Sequence, residues 1–158
     1  VLYKTINGRI SSEDRVNLIP EDSDIVTIMA GTNDGGNAGD EDDYNESTFV
    51  GYYRRMIDLI YQRCPKATVI VCLFPKSGGE YNFEEKVLSS TGIRKQGYRD
   101  MLISICKKYG YLLIDMQPSS NFQNMSQYLG SDLVHPTSEG HKYWAKVFTA
   151  QLLRCINS

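Results

Sequence analysis

Three apolar runs separated by amphipathic stretches predict an α/β protein built on a parallel sheet. Ile25–Ala30, Ala67–Phe74 and Tyr111–Met116 are short, continuous and apolar, as strands buried on both faces are. Between and after them lie three segments whose apolar residues recur at three- and four-residue steps. Strands alternating with helices at this spacing make βαβ units, and such sheets bind ligands beyond the carboxyl ends of their strands.

In chain order, the first strand is closed by Gly31, which permits a sharp exit. The first long helix is expected over about 47–63, with Phe49, Tyr53, Met56, Ile57 and Ile60 on its inner face and Asn45 or Ser47 as its cap. The second strand ends before Pro75. A second helix follows over about 93–108, with Tyr98, Met101, Leu102, Ile105 and Cys106 inward and Gly110 at its stop. The last helix is expected over about 137–155, carrying Tyr143, Trp144, Val147, Phe148 and Leu152, with Pro136 suiting its first turn.

The 158 residues have the length of one domain, 1–158, and enough chain for a substantial core. A net charge of -2 leaves no basic surplus for phosphates, so nucleic acid is excluded as a partner. No apolar run approaches the roughly 18 residues of a membrane helix. The four cysteines, Cys64, Cys72, Cys106 and Cys155, form no CxxC pair and read as small free hydrophobes. The chain begins at Val1 with no visible signal peptide, which leaves the compartment open: secreted or periplasmic with a leader upstream, cytoplasmic without one. Oligomeric state is equally open.

Two short segments carry chemistry. Gly31-Thr32-Asn33-Asp34 places an amide side chain just past the first strand, where it can donate to a developing oxyanion or cap the next element. Asp132-Leu133-Val134-His135-Pro136 places a carboxylate and an imidazole on one irregular segment before the last helix. An imidazole acting as general base needs a carboxylate to hold its other nitrogen as a donor. Pro136 disfavours helical backbone at His135, which should therefore be an extended loop residue aimed outward. The same two residues would also fit a helix-capping Asp with an incidental surface His.

Taken together, in this order and context, the segments resemble the SGNH hydrolases, or GDSL-type esterases and lipases. Asn33 matches the asparagine of that family's GxND block. Asp132 and His135 match its DxxH block, extended by Pro136, Gly140 and His141 to the form DxxHPxxxGH. The resemblance covers roughly residues 15–155. It implies a flavodoxin-like three-layer α/β/α sandwich with a five-stranded parallel sheet. It further implies hydrolysis of carboxylic esters through an acyl-serine, with Asn33 as oxyanion donor, His135 as base and Asp132 as its orienting partner; the substrate is read as an ester such as an acylated carbohydrate or a lipid. No cofactor is called for.

The family's first block, Gly-Asp-Ser, which carries the nucleophile, has no counterpart here. Glu21-Asp22-Ser23 precedes a strand where the block should follow one, so Ser23 reads as a turn residue. Gly8, the only glycine before Gly31, stays unassigned because its surroundings also read as a loop entering a short helix. The expectation is a chain truncated at its start, lacking its first strand, the serine loop and most of a second strand, and inactive alone. The rival readings are a non-catalytic module holding a glycan or other ligand on the same fold, and a receiver-like signalling domain. The latter lacks its phosphate loop or acidic cluster at strand ends.

The acidic run Asp40–Asp43 lacks the ligand alternation of a calcium loop and reads as a solvated, mobile loop bordering the site. His141 reads as a helix-surface residue, without the further ligands a metal would need. Lys76, Ser77, Gly78, Gly79 and Tyr81 could form another wall of the pocket.

Overall fold

The computed structural model describes residues 12–32, 34, 36–73, 95–115 and 126–157. Its elements are α1 (Ser12–Asn17), β1 (Ile25–Ile28), α2 (Phe49–Arg63), β2 (Thr68–Cys72), α3 (Lys95–Tyr109), β3 (Leu112–Ile114), a 3-10 turn (Ser126–Tyr128) and α4 (Ser138–Ile156). The strands pair in the order β1-β2-β3, all parallel. Ile25 lies opposite Thr68, and Ile70 opposite Leu112. This is an α/β fold with helices on both faces of the sheet.

The two faces are covered unequally. Val26, Ile28, Val69 and Val71 join Phe49, Tyr53, Ile57 and Ile60 of α2 and Tyr98, Leu102 and Ile105 of α3 in one core. On the other face, Ile70, Cys72 and Ile114 meet half-buried Trp144, Val147, Phe148 and Leu152 of α4. Among the described strands only β2, the middle one in the order β1-β2-β3, is enclosed on both sides: Val69 through Cys72 are buried. The sequence pattern suggested the same for β1, but Ile25 and Thr27 are exposed there and only Val26 and Ile28 are buried. The reason is placement, since α4 covers β2 and β3 and does not extend over β1.

The helices end where local chemistry permits. The N-cap of α2 is Thr48, not Asn45 or Ser47; its hydroxyl accepts from Gly51 N at 3.2 Å. Asn45 instead shapes the preceding turn, accepting from Ser47 N through Oδ1. At the end of α3, Tyr111 N donates to Cys106 O at 3.0 Å across Gly110, the six-to-one bond of a Schellman stop. Cys64, Cys72 and Cys106 are buried free thiols and Cys155 is half-buried. Burial pushes the Cys72 and Cys106 thiols up to about 12, out of the reactive range.

The acidic loop before α2 is docked, not free. Arg54 Nη1 donates to the carbonyls of Asp42 at 2.8 Å and Asp43 at 3.2 Å. Asp42 accepts from Lys108 Nζ and from the Tyr109 hydroxyl, both at 2.7 Å, and Ser104 donates to Glu41. The Arg54 guanidinium also lies 4.1 Å from the Tyr109 ring centre and 5.4 Å from that of Tyr44. Read linearly, a run of acids repels itself; here α3 supplies the opposite charge from sixty-odd residues away.

Candidate active site

The segment joining the 3-10 turn to α4 is a small closed structure. Leu129 and Pro136 form an antiparallel bridge, and Gly130 N donates to His135 O at 2.7 Å. Thr137 N donates to Tyr128 O at 2.9 Å. Leu133, with φ 56°, takes the left-handed turn at the tip, its N–H bonded to Gly130 O at 2.9 Å. Thr137 caps α4, accepting from Gly140 N at 3.1 Å, so Pro136 stands outside the helix and closes the bridge instead of filling the first turn.

Asp132 organises this loop. Its Oδ1 accepts from Val134 N at 2.9 Å and His135 N at 3.0 Å, while Oδ2 meets His135 Nδ1 at 2.6 Å. Asp132 is thus not the cap of α4; its acceptors are spent on its own loop and on the imidazole. The His135 side chain, then its backbone N–H and that of Val134, holds the Asp132 carboxyl well below the ordinary carboxylate range. The His135 side chain is 82% exposed, and no contact engages its Nε2 among the described residues. Neutral histidine bonded in this way keeps its proton on Nδ1 and presents the Nε2 lone pair to solvent.

Two glycines make room for the loop. A Cβ at Gly140 would run into the Tyr128 carbonyl oxygen, so only glycine lets α4 seat against the 3-10 turn. A Cβ at Gly130 would lie 3.3 Å from His135 O and 3.5 Å from Asp132 Oδ1. The Tyr128 and Tyr143 rings stack at 4.6 Å between centroids and fix the same junction. Gly140 and His141 belong to the sequence block, but the tyrosine pair had no signal beyond two aromatics fifteen residues apart. His141 lies exposed on α4.

Asn33 lies outside the described residues, as do Gly8 and the segment carrying Lys76, Ser77, Gly78, Gly79 and Tyr81. Gly31, at φ 121°, accepts from Asp34 N at 3.1 Å, closing a turn at the exit of β1. Buried Tyr98 donates its hydroxyl to Gly36 O. Ser23 is turned back on its own segment, its hydroxyl donating to Pro20 O at 2.7 Å, at the amino end of β1. Among the described residues, no three His, Cys, Asp or Glu side chains gather as a metal site, and no helix is long and apolar enough to cross a membrane.

Comparison with known proteins locates this architecture. A solved structure at 20% identity superposes with a TM-score of 0.82, covering 96% of this chain and 74% of that one. A protein from Lactobacillus plantarum, at 19% identity and TM-score 0.73, covers 94% and 74%. One from Bacillus subtilis, at 20% and 0.59, covers 89% and 40%. At such identities the likeness is one of fold. No match was found among the curated proteins. The sequence model of the GDSL-like lipase/acylhydrolase family, however, matches residues 3–143. The chain therefore belongs to the GDSL-like lipase/acylhydrolase family, hydrolases of general lipase/esterase type.

Proposed function

We propose that this chain, as a single domain, supplies the base and oxyanion half of a serine ester hydrolase acting on carboxylic esters of acylated carbohydrates or lipids. The observation that carries the reading is the Asp132–His135 pair, closed at 2.6 Å with Nε2 turned to solvent. In this reading His135 Nε2 takes the proton of a serine hydroxyl as its oxygen attacks the ester carbonyl. Asp132 holds the Nδ1 proton and stabilises the imidazolium. The Asn33 amide donates to the oxyanion, a role worth about 3 kcal/mol elsewhere. His135 then returns the proton to the leaving alcohol, and water releases the acyl group by the same route.

The nucleophile is assigned to chain beyond these 158 residues. Ser23 is engaged with Pro20 at the amino end of β1, the wrong end for a group that must meet the loop between β3 and α4. β1 pairs with β2 alone among the described residues, and a groove lined by Arg15, Val16 and Ile19 from α1 and its turn, Val26 and Ile28 of β1 and Met56 of α2 lies against it. A further strand carrying the serine would fit there. The test is turnover of a short-chain aryl ester by the 158 residues and by a version extended upstream. The expected result is turnover blocked by a serine-reactive phosphonate only in the extended protein. Phosphonate-sensitive turnover by the 158 residues alone would place the serine within them. The missing Gly-Asp-Ser block favours one other reading, a module that holds a glycan or other ligand without cleaving it. An extended protein that binds but never turns over would support that.

A further inference from the structure

The chain carries two exposed histidines six residues apart, and among the described residues only one has a carboxylate partner. His135 Nδ1 is held by Asp132 Oδ2 at 2.6 Å, and Asp132 is itself fixed by the N–H groups of Val134 and His135. His141 stands on the surface of α4 with its backbone N bonded to Thr137 O and no side-chain partner among the described residues. The 135 ring is 82% exposed, so an acyl donor reaches Nε2 without displacing any described protein group.

We propose that His135 is itself an acyl acceptor, and that these 158 residues hydrolyse activated esters through an acyl-imidazole with no serine involved. The Nε2 lone pair attacks the carbonyl carbon of an aryl ester. The bond from that carbon to the aryl oxygen breaks, and its electron pair leaves as aryloxide. The acylated ring passes its Nδ1 proton through Asp132 to water, giving neutral acyl-imidazole. Water then adds to the carbonyl, the carbon–Nε2 bond breaks, the carboxylic acid departs and the ring regains one proton. The sum is ester plus water to acid plus phenol.

The leaving group defines the substrate class. Neutral imidazole, whose conjugate acid has a pKa of about 6.5, is a better leaving group than an ordinary phenoxide at about 10, so the addition intermediate moves forward only when the aryloxide is activated, as p-nitrophenolate is. An alkoxide leaves less readily still, so that intermediate expels imidazole and reverts. Activated aryl esters are therefore substrates and simple alkyl esters are not. Asp132 contributes by keeping the neutral ring in the one tautomer whose lone pair faces solvent. The inference rests on the pair's geometry and not on the serine reading.

The experiment uses the 158-residue chain with p-nitrophenyl acetate, following nitrophenolate release in the presence of a serine-reactive phosphonate. Turnover is expected to exceed that of equimolar free imidazole and to persist under the phosphonate. It should disappear in His135→Ala, survive in His141→Ala, and fall in Asp132→Asn. Acid quenching during turnover should trap an acetyl group on the peptide containing residue 135, and ethyl acetate should not be cleaved. Both histidine substitutions lie on the surface, and circular dichroism checks that each variant folds. A rate no higher than that of free imidazole would overturn the proposal, as would loss with His141→Ala instead of His135→Ala. Inhibition by the phosphonate would also overturn it, while leaving a serine mechanism standing.

Discussion

Two carboxylate-centred loops behave very differently in this chain. Asp132 finds its partners within three residues: two backbone N–H groups and the His135 ring. Asp42 finds its own on α3, with Lys108 and Tyr109 sixty-six and sixty-seven residues along the chain, and Arg54 closes over its carbonyl from α2. Both carboxyls are held below the ordinary range. For Asp132 the largest cause is the His135 ring; for Asp42 it is the bond from Lys108, then that from Tyr109. The two loops are ordered by different means. One closes on itself through short-range hydrogen bonds, whereas the other is ordered only once α2 and α3 are packed.

The sharpest test of that difference is functional. In a serine-bearing form of the enzyme, His135→Ala should lower kcat by about 10²–10⁴, the range general-base catalysis commands. Asn33→Ala should cost about 10²–10³ with KM little changed. The loop itself should survive His135→Ala, because Asp132 Oδ1 still accepts from the backbone at 134 and 135. Normal protection of those two amides from hydrogen exchange would check this, and their collapse would show that the ring, not the backbone, orders the loop.

Even the self-closing loop has one long-range requirement, its seat against α4. Gly140→Ala pushes a methyl group into the Tyr128 carbonyl, and backbone on both sides resists the shift. Destabilisation of about 1–3 kcal/mol is expected, read as a lowered Tm together with loss of the Tyr128–Tyr143 stack. An unchanged Tm would mean that α4 slides freely on the 3-10 turn.

The docked acidic loop should respond more weakly. Arg54→Met keeps the aliphatic stem and removes the guanidinium from between the Tyr44 and Tyr109 rings. A loss of about 0.5–1 kcal/mol is expected, as for an exposed cation–π contact. Faster amide exchange should be confined to residues 40–45, with 130–135 unaffected. Spread of the change into 130–135 would couple the two loops and undo the contrast.

Acid should separate them last and least. A carboxyl whose folded pKa is depressed stabilises the fold above its unfolded value, roughly 3.9, and that contribution is lost as pH falls toward the folded value. Both Asp132 and Asp42 therefore matter from neutral pH down to about 4 and lose their effect below it. Carbon-13 shifts of the two carboxyls should report depressed midpoints. Protonation of Asp132 should loosen only 130–135, whereas protonation of Asp42 should free its loop from Lys108 and Tyr109. A midpoint near 3.9 at either residue would show that its hydrogen bonds are not maintained in solution.

Much of this protein was legible in one dimension because its causes are local. The β1, β2 and β3 runs, the inner faces of α2 and α3, and the Gly110 stop each depend on residues within a turn or two of one another. The Asp132–His135 pair belongs with them, since three residues on an irregular segment suffice to bring its groups together. The cap of α2 was harder to place, because Asn45, Ser47 and Thr48 are all competent and only the backbone at Thr48 chose among them.

What the sequence by itself determined, then, is the alternation of strands and helices, the family blocks and the internal closure of the DxxH loop, all set by neighbouring dihedrals and short-range hydrogen bonds. Only the tertiary structure decided that one face of β1 stays uncovered, that the Asp40–Asp43 run docks on α2 and α3, and that Gly140 must lack a side chain. Each of these depends on where a distant helix comes to rest. Apolar periodicity says that a face is to be buried, but not which helix reaches it, and a row of acids does not reveal the lysine that folding brings beside it.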